Sequence, residues 1–440
     1  MMRERWTAVH GVQSVAVRQA EAEAAPAPRS RMVGWVRAVA SNEWAMAAAI
    51  FVFTRAVALV PAYVGVTRLI AAEPQRNKGW FAELALMWDA AWYARIVQDG
   101  YAFAPGSPDA VKVAFAPLYP FLVRLLSDLL GWLAPGWDWG DPTYGRMIVA
   151  GLAISNVSFF VALALLIRLL APRLGRAGAG VVALALASLP TAFFFSAMYT
   201  EGLFLLLLVS TFLIARSDWK HKWLAASMLA SLAALVRFVG VLLLVVLAVE
   251  YLSQVRWQWR RVRADVLCVA LVLLGVGLYG WYMWSRFGSP LAPVDSQLHG
   301  WDRQASFFLD TYWQSAVQLW QSVTGAVPPD RDPVLHYGMG SRLYLFLDLG
   351  MPAALLAGGL LGRRWLRASE WAWLVLGIIY PLSAGFTFSM ARYVLPLWPG
   401  LVWLGTLEGK KRWVAVVWLA ASLALLARCS YIYASAHWIG

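Results

Sequence analysis

Apolar runs dominate the chain, and polar residues arrive in short clusters between them. Runs long enough to cross about 30 Å of hydrocarbon begin near residues 43, 147, 265, 342 and 413. Three longer stretches carry one interruption each, and each predicts two helices joined by a turn. They are 177–215, broken at "LPTAFFFSAMYTEG"; 223–253, broken at Arg237–Gly240; and 371–407, broken at "GFTFSMAR". Basic clusters fall at Arg168/Arg173/Arg176, Arg216/Lys220/Lys222, Arg256/Arg260/Arg261/Arg263, Arg363/Arg364/Arg367 and Lys410/Lys411/Arg412. Under the positive-inside rule these clusters are cytosolic, so an even number of crossings joins each pair, which gives about eleven spans. The N-terminus is then inside and the C-terminus outside. The fold class that follows is an all-α polytopic membrane protein.

The far side receives two long loops, 66–146 and 286–341, rich in Trp, Tyr, Pro and Asp. Their composition, as in "GWFAELALMWDAAWYARIVQDGYAF", "FAPLYPFLVRLL" and "LHGWDRQASFF", suits amphipathic helices lying on the outer interface. In the first loop Met87, Ala91, Ala94 and Val97 form an apolar stripe, and Gly100 is placed to end that helix. No fixed-period repeat and no separate soluble domain is evident. Residues 42–440 therefore read as one membrane domain, preceded by a basic cytosolic arm, 1–41, that lacks the apolar core of a cleavable signal.

Composition agrees: 61% of residues are hydrophobic and only 14% are charged. The net charge of +13 would suggest nucleic acid in a soluble protein, but here the cations mark topology and headgroup contact, so nucleic acid is excluded as a partner. Cys268 and Cys429 both lie in apolar runs and form neither a disulfide framework nor a metal-ligand spacing.

The topology has a chemical consequence. The ionisable residues that interrupt apolar sequence, Asp89, Glu201, Arg237 and Arg392, all collect at the far face. A charge at membrane depth costs about 2.5–3.5 kcal/mol on insertion scales, so it faces a cavity or a partner. Duller readings stand beside this one. Asp89 can simply start an interfacial helix, Glu201 can complement a helix dipole, and the two arginines can snorkel to phosphates. Arg95 and Arg124 read as interface residues, and His299 and His336 as solvated loop residues.

Four stretches together resemble the PIG-V family of glycosylphosphatidylinositol mannosyltransferases, within the GT-C class of membrane glycosyltransferases. They are "WDAAWYARIVQDGY" followed by "FAPLYPFLVRLL"; "NVSFFVALALLIRLL"; "PTAFFFSAMYTEGLFLLLL"; and "ALVRFVGVLLL" with the later "ARYVLPLWPG". The resemblance implies a multi-span enzyme whose first outer loop bears the catalytic acid, with a polyprenyl- or dolichyl-phosphate-mannose donor and a lipid or glycan acceptor. Its site would face away from the cytosol, in the cytoplasmic membrane of a prokaryote or the endoplasmic reticulum of a eukaryote. The family's W-D aspartate falls on Asp89, its Y-x-E glutamate on Glu201, its R-x-x-G arginine on Arg237 and its R-Y arginine on Arg392. The chain departs from the family where Arg-Ser/Asn-Gly is expected, having "RFVG" with an extra residue before the glycine, and in its long basic, Ala-rich arm.

Such a transfer needs a base for the acceptor hydroxyl and positive charge for the departing phosphate. Asp89 is the candidate base. Trp88, Trp92 and Tyr93 wall it and join the substrate-binding set. Direct displacement assisted by one carboxylate predicts inversion at the sugar. Arg237 and Arg392 offer forks for the phosphate oxyanion, with Arg392 favoured for its neighbour Tyr393. Glu201 either binds sugar hydroxyls or holds an arginine. Neither a metal nor a cofactor is expected from two scattered carboxylates. Two competing readings are a lipid-linked-sugar transporter, which would need two matching halves, and a non-catalytic subunit that keeps the cavity for lipid binding.

Overall fold

The backbone breaks where the sequence offers proline, glycine or a charge, and runs helical elsewhere. The computed structural model describes residues 42–76, 78–103, 108–136, 141, 144–301, 303–327, 342–385, 387–407 and 409–437. The 1–41 arm and His336 lie outside the described residues. No strand occurs among those described.

Helix α1 (Glu43–Ala72) is followed by α2 (Gly79–Ala85), α3 (Asp89–Asp99), a 3-10 turn at Pro108–Ala114 and α4 (Leu118–Leu133). The long α5 (Gly145–Ala187) bends at Gly175, three residues after Pro172. Next come α6 (Glu201–Ala215), α7 (Lys222–Val236), α8 (Leu243–Gln254) and α9 (Val272–Phe287), then α10 (Ala292–Trp301) and α11 (Phe308–Thr324). The chain closes with α12 (Arg342–Leu361), α13 (Ala368–Leu382), the short α14 (Met390–Tyr393) and α15 (Val402–Gly405), and α16 (Arg412–Ala434). Among the described residues, five helices are long and apolar enough to cross a membrane: α1, α5, Ala264–Phe287 (which ends in α9), α12 and α16. Four shorter apolar helices accompany them: α6, α7, Phe238–Gln254 and α13.

The expected interruption at Arg237 is present: its backbone is extended, at φ −149° and ψ 131°, between α7 and the turn that leads into α8. That turn folds back so closely that a Cβ on Gly240 would meet the backbone of Ala233 and Ala234, which is why the motif closes on glycine. The stretch 390–407 differs from expectation. It holds α14, a 3-10 turn at Trp398–Leu401 and α15 instead of a second continuous helix. Pro396 and Pro399 account for this, since each lacks an N–H and clashes with the preceding turn. Helix α1 also runs on to Ala72, past residue 66, where the sequence places the start of the first outer loop.

In lipid, helices associate through close packing more than through hydrophobic expulsion, so small residues mark the contacts. Gly178 of α5 and Gly405 of α15 pack backbone against backbone. Arg55 of α1 is buried and donates to Ala187 O at 3.0 Å, Ala192 O at 2.8 Å and Ser196 Oγ at 2.9 Å. It thereby satisfies the last carbonyl of α5 and fixes the segment that leads to α6.

An ion network that the sequence did not announce closes the opposite end of α6. Glu370 of α13 receives Arg173 through both its oxygens at 2.7 Å, and Arg216 at 2.8 Å. Arg216 reaches on to Glu250 of α8 at 3.1 Å, and Ser369 also donates to Glu250. Four helices thus share two buried carboxylates. Removing one partner of a buried pair costs roughly 3–5 kcal/mol. Glu370→Ala should therefore lower the thermal midpoint of the detergent-solubilised protein clearly, and an unchanged midpoint would remove the network as a stabilising clasp.

Candidate active site

Helix α3 cannot begin until the chain turns sharply at Trp88, whose φ of 56° and ψ of −124° are unusual for a bulky side chain. The turn is held from both sides. Tyr199 and Tyr433 each donate to Met87 O, at 3.4 and 3.2 Å, and the Asp89 N–H donates to the Tyr199 hydroxyl at 3.1 Å. Gly100 ends the helix as expected, at φ 78°.

Arg392 is delivered by a second constrained turn. Ser389 precedes α14 in the left-handed region at φ 66°, and its N–H donates to the Tyr344 hydroxyl at 2.8 Å. The buried Asp348 of α12 accepts the Ala391 N–H at 2.6 Å, and Thr191 donates to Ala391 O at 2.8 Å. Ala391, the residue just before Arg392, is thus pinned at both its backbone N–H and its C=O.

These turns bring the four sequence-predicted charges together. Arg392 Nε donates to Glu201 Oε1, and its Nη1 to Asp89 Oδ2, each at 2.5 Å. Arg237 Nη1 donates to the same Glu201 oxygen, and to Thr200 Oγ1 at 3.2 Å. The Arg392 guanidinium lies over the rings of Tyr199 at 4.6 Å and Phe194 at 5.1 Å. Side-chain exposure separates the roles: 24% for Asp89 against 11% for Arg237, 8% for Arg392 and 2% for Glu201. Asp89 Oδ1 accepts no hydrogen bond from the described residues.

The aromatic candidates divide. Tyr93 is buried edge-on among Phe115, Tyr119 and Tyr199, so it supports α3 from beneath. Trp88 and Trp92 are half-buried, and Trp92 carries Arg95 over its ring at 4.9 Å. The Tyr393 ring lies within reach of two guanidiniums, Arg237 at 5.3 Å and Arg303 at 5.4 Å, and its hydroxyl accepts from Arg303 at 2.8 Å. Burial pushes the Tyr393 phenol up, but Arg303, Arg392 and Arg237 outweigh burial and hold it below the ordinary tyrosine range.

Sequence reasoning did not single out Arg303, Asp348, Tyr199 or Tyr433. Arg303 was hidden in a polar loop. Asp348 carried a usable signal, a lone carboxylate inside "LYLFLDLGMP". No cluster with metal-ligand potential occurs among the described residues.

A helical membrane bundle with paired charges sealed at one end of its helices defines a protein class in which a polar reaction or transport step occurs beside lipid. The family is specific: the sequence profile of mannosyltransferase (PIG-V) matches residues 46–316, and the chain belongs to that family. No curated protein matches the chain. Among solved structures, the chain is similar to the apo form of the Archaeoglobus fulgidus oligosaccharyltransferase, at 15% identity and a TM-score of 0.43, covering 88% of this chain and 56% of that one. It is likewise similar to the same enzyme in complex with Zn and sulfate, at 14% identity and a TM-score of 0.40, covering 87% and 53%. The chain thus spans a little over half the length of those structures.

Two measurements check this geometry. Asp348→Ala leaves the Ala391 N–H buried and unpaired, a cost of about 1–3 kcal/mol, whereas Asp348→Asn keeps an acceptor. Thermal unfolding should therefore rank wild type above Asn, and Asn above Ala. Arg303→Ala removes the nearest cation from the Tyr393 phenol, so the Tyr393 titration followed by 13Cζ NMR should move upward. A downward or absent shift would contradict the contact.

Proposed function

We propose that the protein is a membrane mannosyltransferase that moves a mannose, or a similar hexose, from a polyprenyl-phosphate donor to a lipid-linked or glycan acceptor at the non-cytosolic face. The reading rests on the eleven-span topology argued from the basic clusters, with α2–α4 lying at the outer interface. Family membership supports the chemistry. The observation that carries the mechanism is the asymmetry of Asp89: one oxygen is fixed by Arg392, and the other accepts nothing from the described residues.

In this mechanism Oδ1 of Asp89 takes the proton of the acceptor hydroxyl as that oxygen attacks the anomeric carbon. The bond to the phosphate oxygen breaks, and the sugar inverts. Arg392 orients Asp89, since two of its nitrogens already serve carboxylates. The departing phosphate falls to Arg237, which uses only Nη1 on its protein partners, together with Tyr393 and Arg303. Glu201 serves as the hub that holds both arginines instead of as a sugar ligand. Trp88 and Trp92 flank the approach, and Tyr93 packs beneath it.

The test uses purified protein in proteoliposomes with radiolabelled polyprenyl-phosphate mannose, followed by mass spectrometry of the product. Asp89→Asn should reduce transfer by about 10²–10⁴-fold while donor binding persists. Transfer equal to wild type would end the assignment of Asp89 as base.

A further inference from the structure

Two cavities of similar size flank the short helix α2, about 470 Å³ on one side and about 460 Å³ on the other. Trp80, Phe81 and Leu84 line the first, together with apolar residues of α1 and α16. The second is lined instead by Arg76, Lys78, Arg95 and Glu83, with Trp88 at its back. Arg76 is committed to Glu73 and Glu83. Lys78 and Arg95 are exposed and rest on aromatic rings, of Tyr144 at 5.3 Å and Trp92 at 4.9 Å, and neither meets a carboxylate within ion-pair distance among the described residues. Each volume lies in the range of small-molecule sites.

The cavities are stacked along the helix axes. On α1 the apolar cavity takes residues 58–63, and the cationic one takes Arg76 beyond the helix end. On α16 the order is Ser430 and Tyr433, then Ala436. The antiparallel α5 reverses it, with its N-cap Tyr144 at the cationic cavity and Leu152 and Asn156 at the apolar one, ~12 and ~18 Å further along at 1.5 Å per residue. Three helices therefore agree that the apolar space lies deeper along the bundle and the cationic space nearer its end. This is the order of chain and headgroup in one leaflet.

The cationic cavity does not open on the Asp89 carboxylate. Its α3 lining includes Ala91 and Arg95, two and six residues after Asp89, which at 3.6 residues per turn lie on the opposite side of the helix. An anion there is not the phosphate that leaves the sugar.

We infer that the two cavities form one binding site for an anionic phospholipid of the bilayer, distinct from the phosphosugar donor. Its phosphate lies between Lys78 and Arg95, and one acyl chain fills the space under Trp80 and Leu84. The site is separable from catalysis, because it needs no role for Asp89.

The test is native mass spectrometry of the full-length protein, delipidated and titrated with dioleoyl phosphatidylglycerol or dioleoyl phosphatidylcholine. Wild type should retain one phosphatidylglycerol at least tenfold more strongly than phosphatidylcholine. Lys78→Glu with Arg95→Glu should erase that preference, and Leu84→Trp should lower retention of both lipids by fivefold or more. Asp89→Asn should retain phosphatidylglycerol as wild type does, whatever its transfer activity. A wild type without preference, or a preference that survives the double charge reversal, overturns the inference. Displacement of the lipid by equimolar polyprenyl phosphate also overturns it, by assigning the site to the donor.

Discussion

One guanidinium decides whether the end of this bundle that carries Asp89 can exist. Arg392 bridges two carboxylates that lie 303 and 191 residues away in the chain, and so ties the segment after α1, the start of α6 and the turn after α13 into one object. Asp89 and Glu201 without it would set two anions side by side in surroundings of aromatic rings, an arrangement that desolvation and repulsion both oppose. With Arg237 added, two positive charges meet two negative ones. The formal charges of the cluster therefore sum to zero. That is how such groups persist next to hydrocarbon.

The opposite end of α6 answers the same problem differently. Glu370 and Glu250 are almost wholly enclosed, and their oxygens meet arginine, serine or glutamine on every side that the described residues present. Nothing there offers a free oxygen to a ligand, so the network reads as structure. Helix α6 begins at Glu201 and ends beside Arg216, which makes it a strut between a closed ionic joint and an open one. The difference in exposure between Asp89 and Glu370 is the physical difference between a site and a clasp.

Much of this was visible in the sequence because a charge inside hydrocarbon is conspicuous. Asp89, Glu201, Arg237 and Arg392 stood out for that reason, and the structure gathers them. The break at Arg237 and the stop at Gly100 were legible from local chemistry. Glu250 and Glu370 were not, because each lies close to a basic cluster and is absorbed into the topology signal. Arg303 disappeared into a loop already rich in polar residues. The pairing itself was out of reach, since no local pattern links residues hundreds of positions apart. The short segments at 390–407 were misjudged as one helix because hydropathy outweighed the two prolines in the reading.

Trp88 and Ser389 occupy backbone conformations that a free chain leaves readily, and each stands just ahead of the charged residue it delivers. The two bends face one another across the Asp89–Arg392 contact. Each is held by its own neighbours, the first by Tyr199 and Tyr433 and the second by Tyr344 and Asp348. The strain of both bends is thus borne by groups outside the ion cluster, so the two charged side chains are held already aimed at one another.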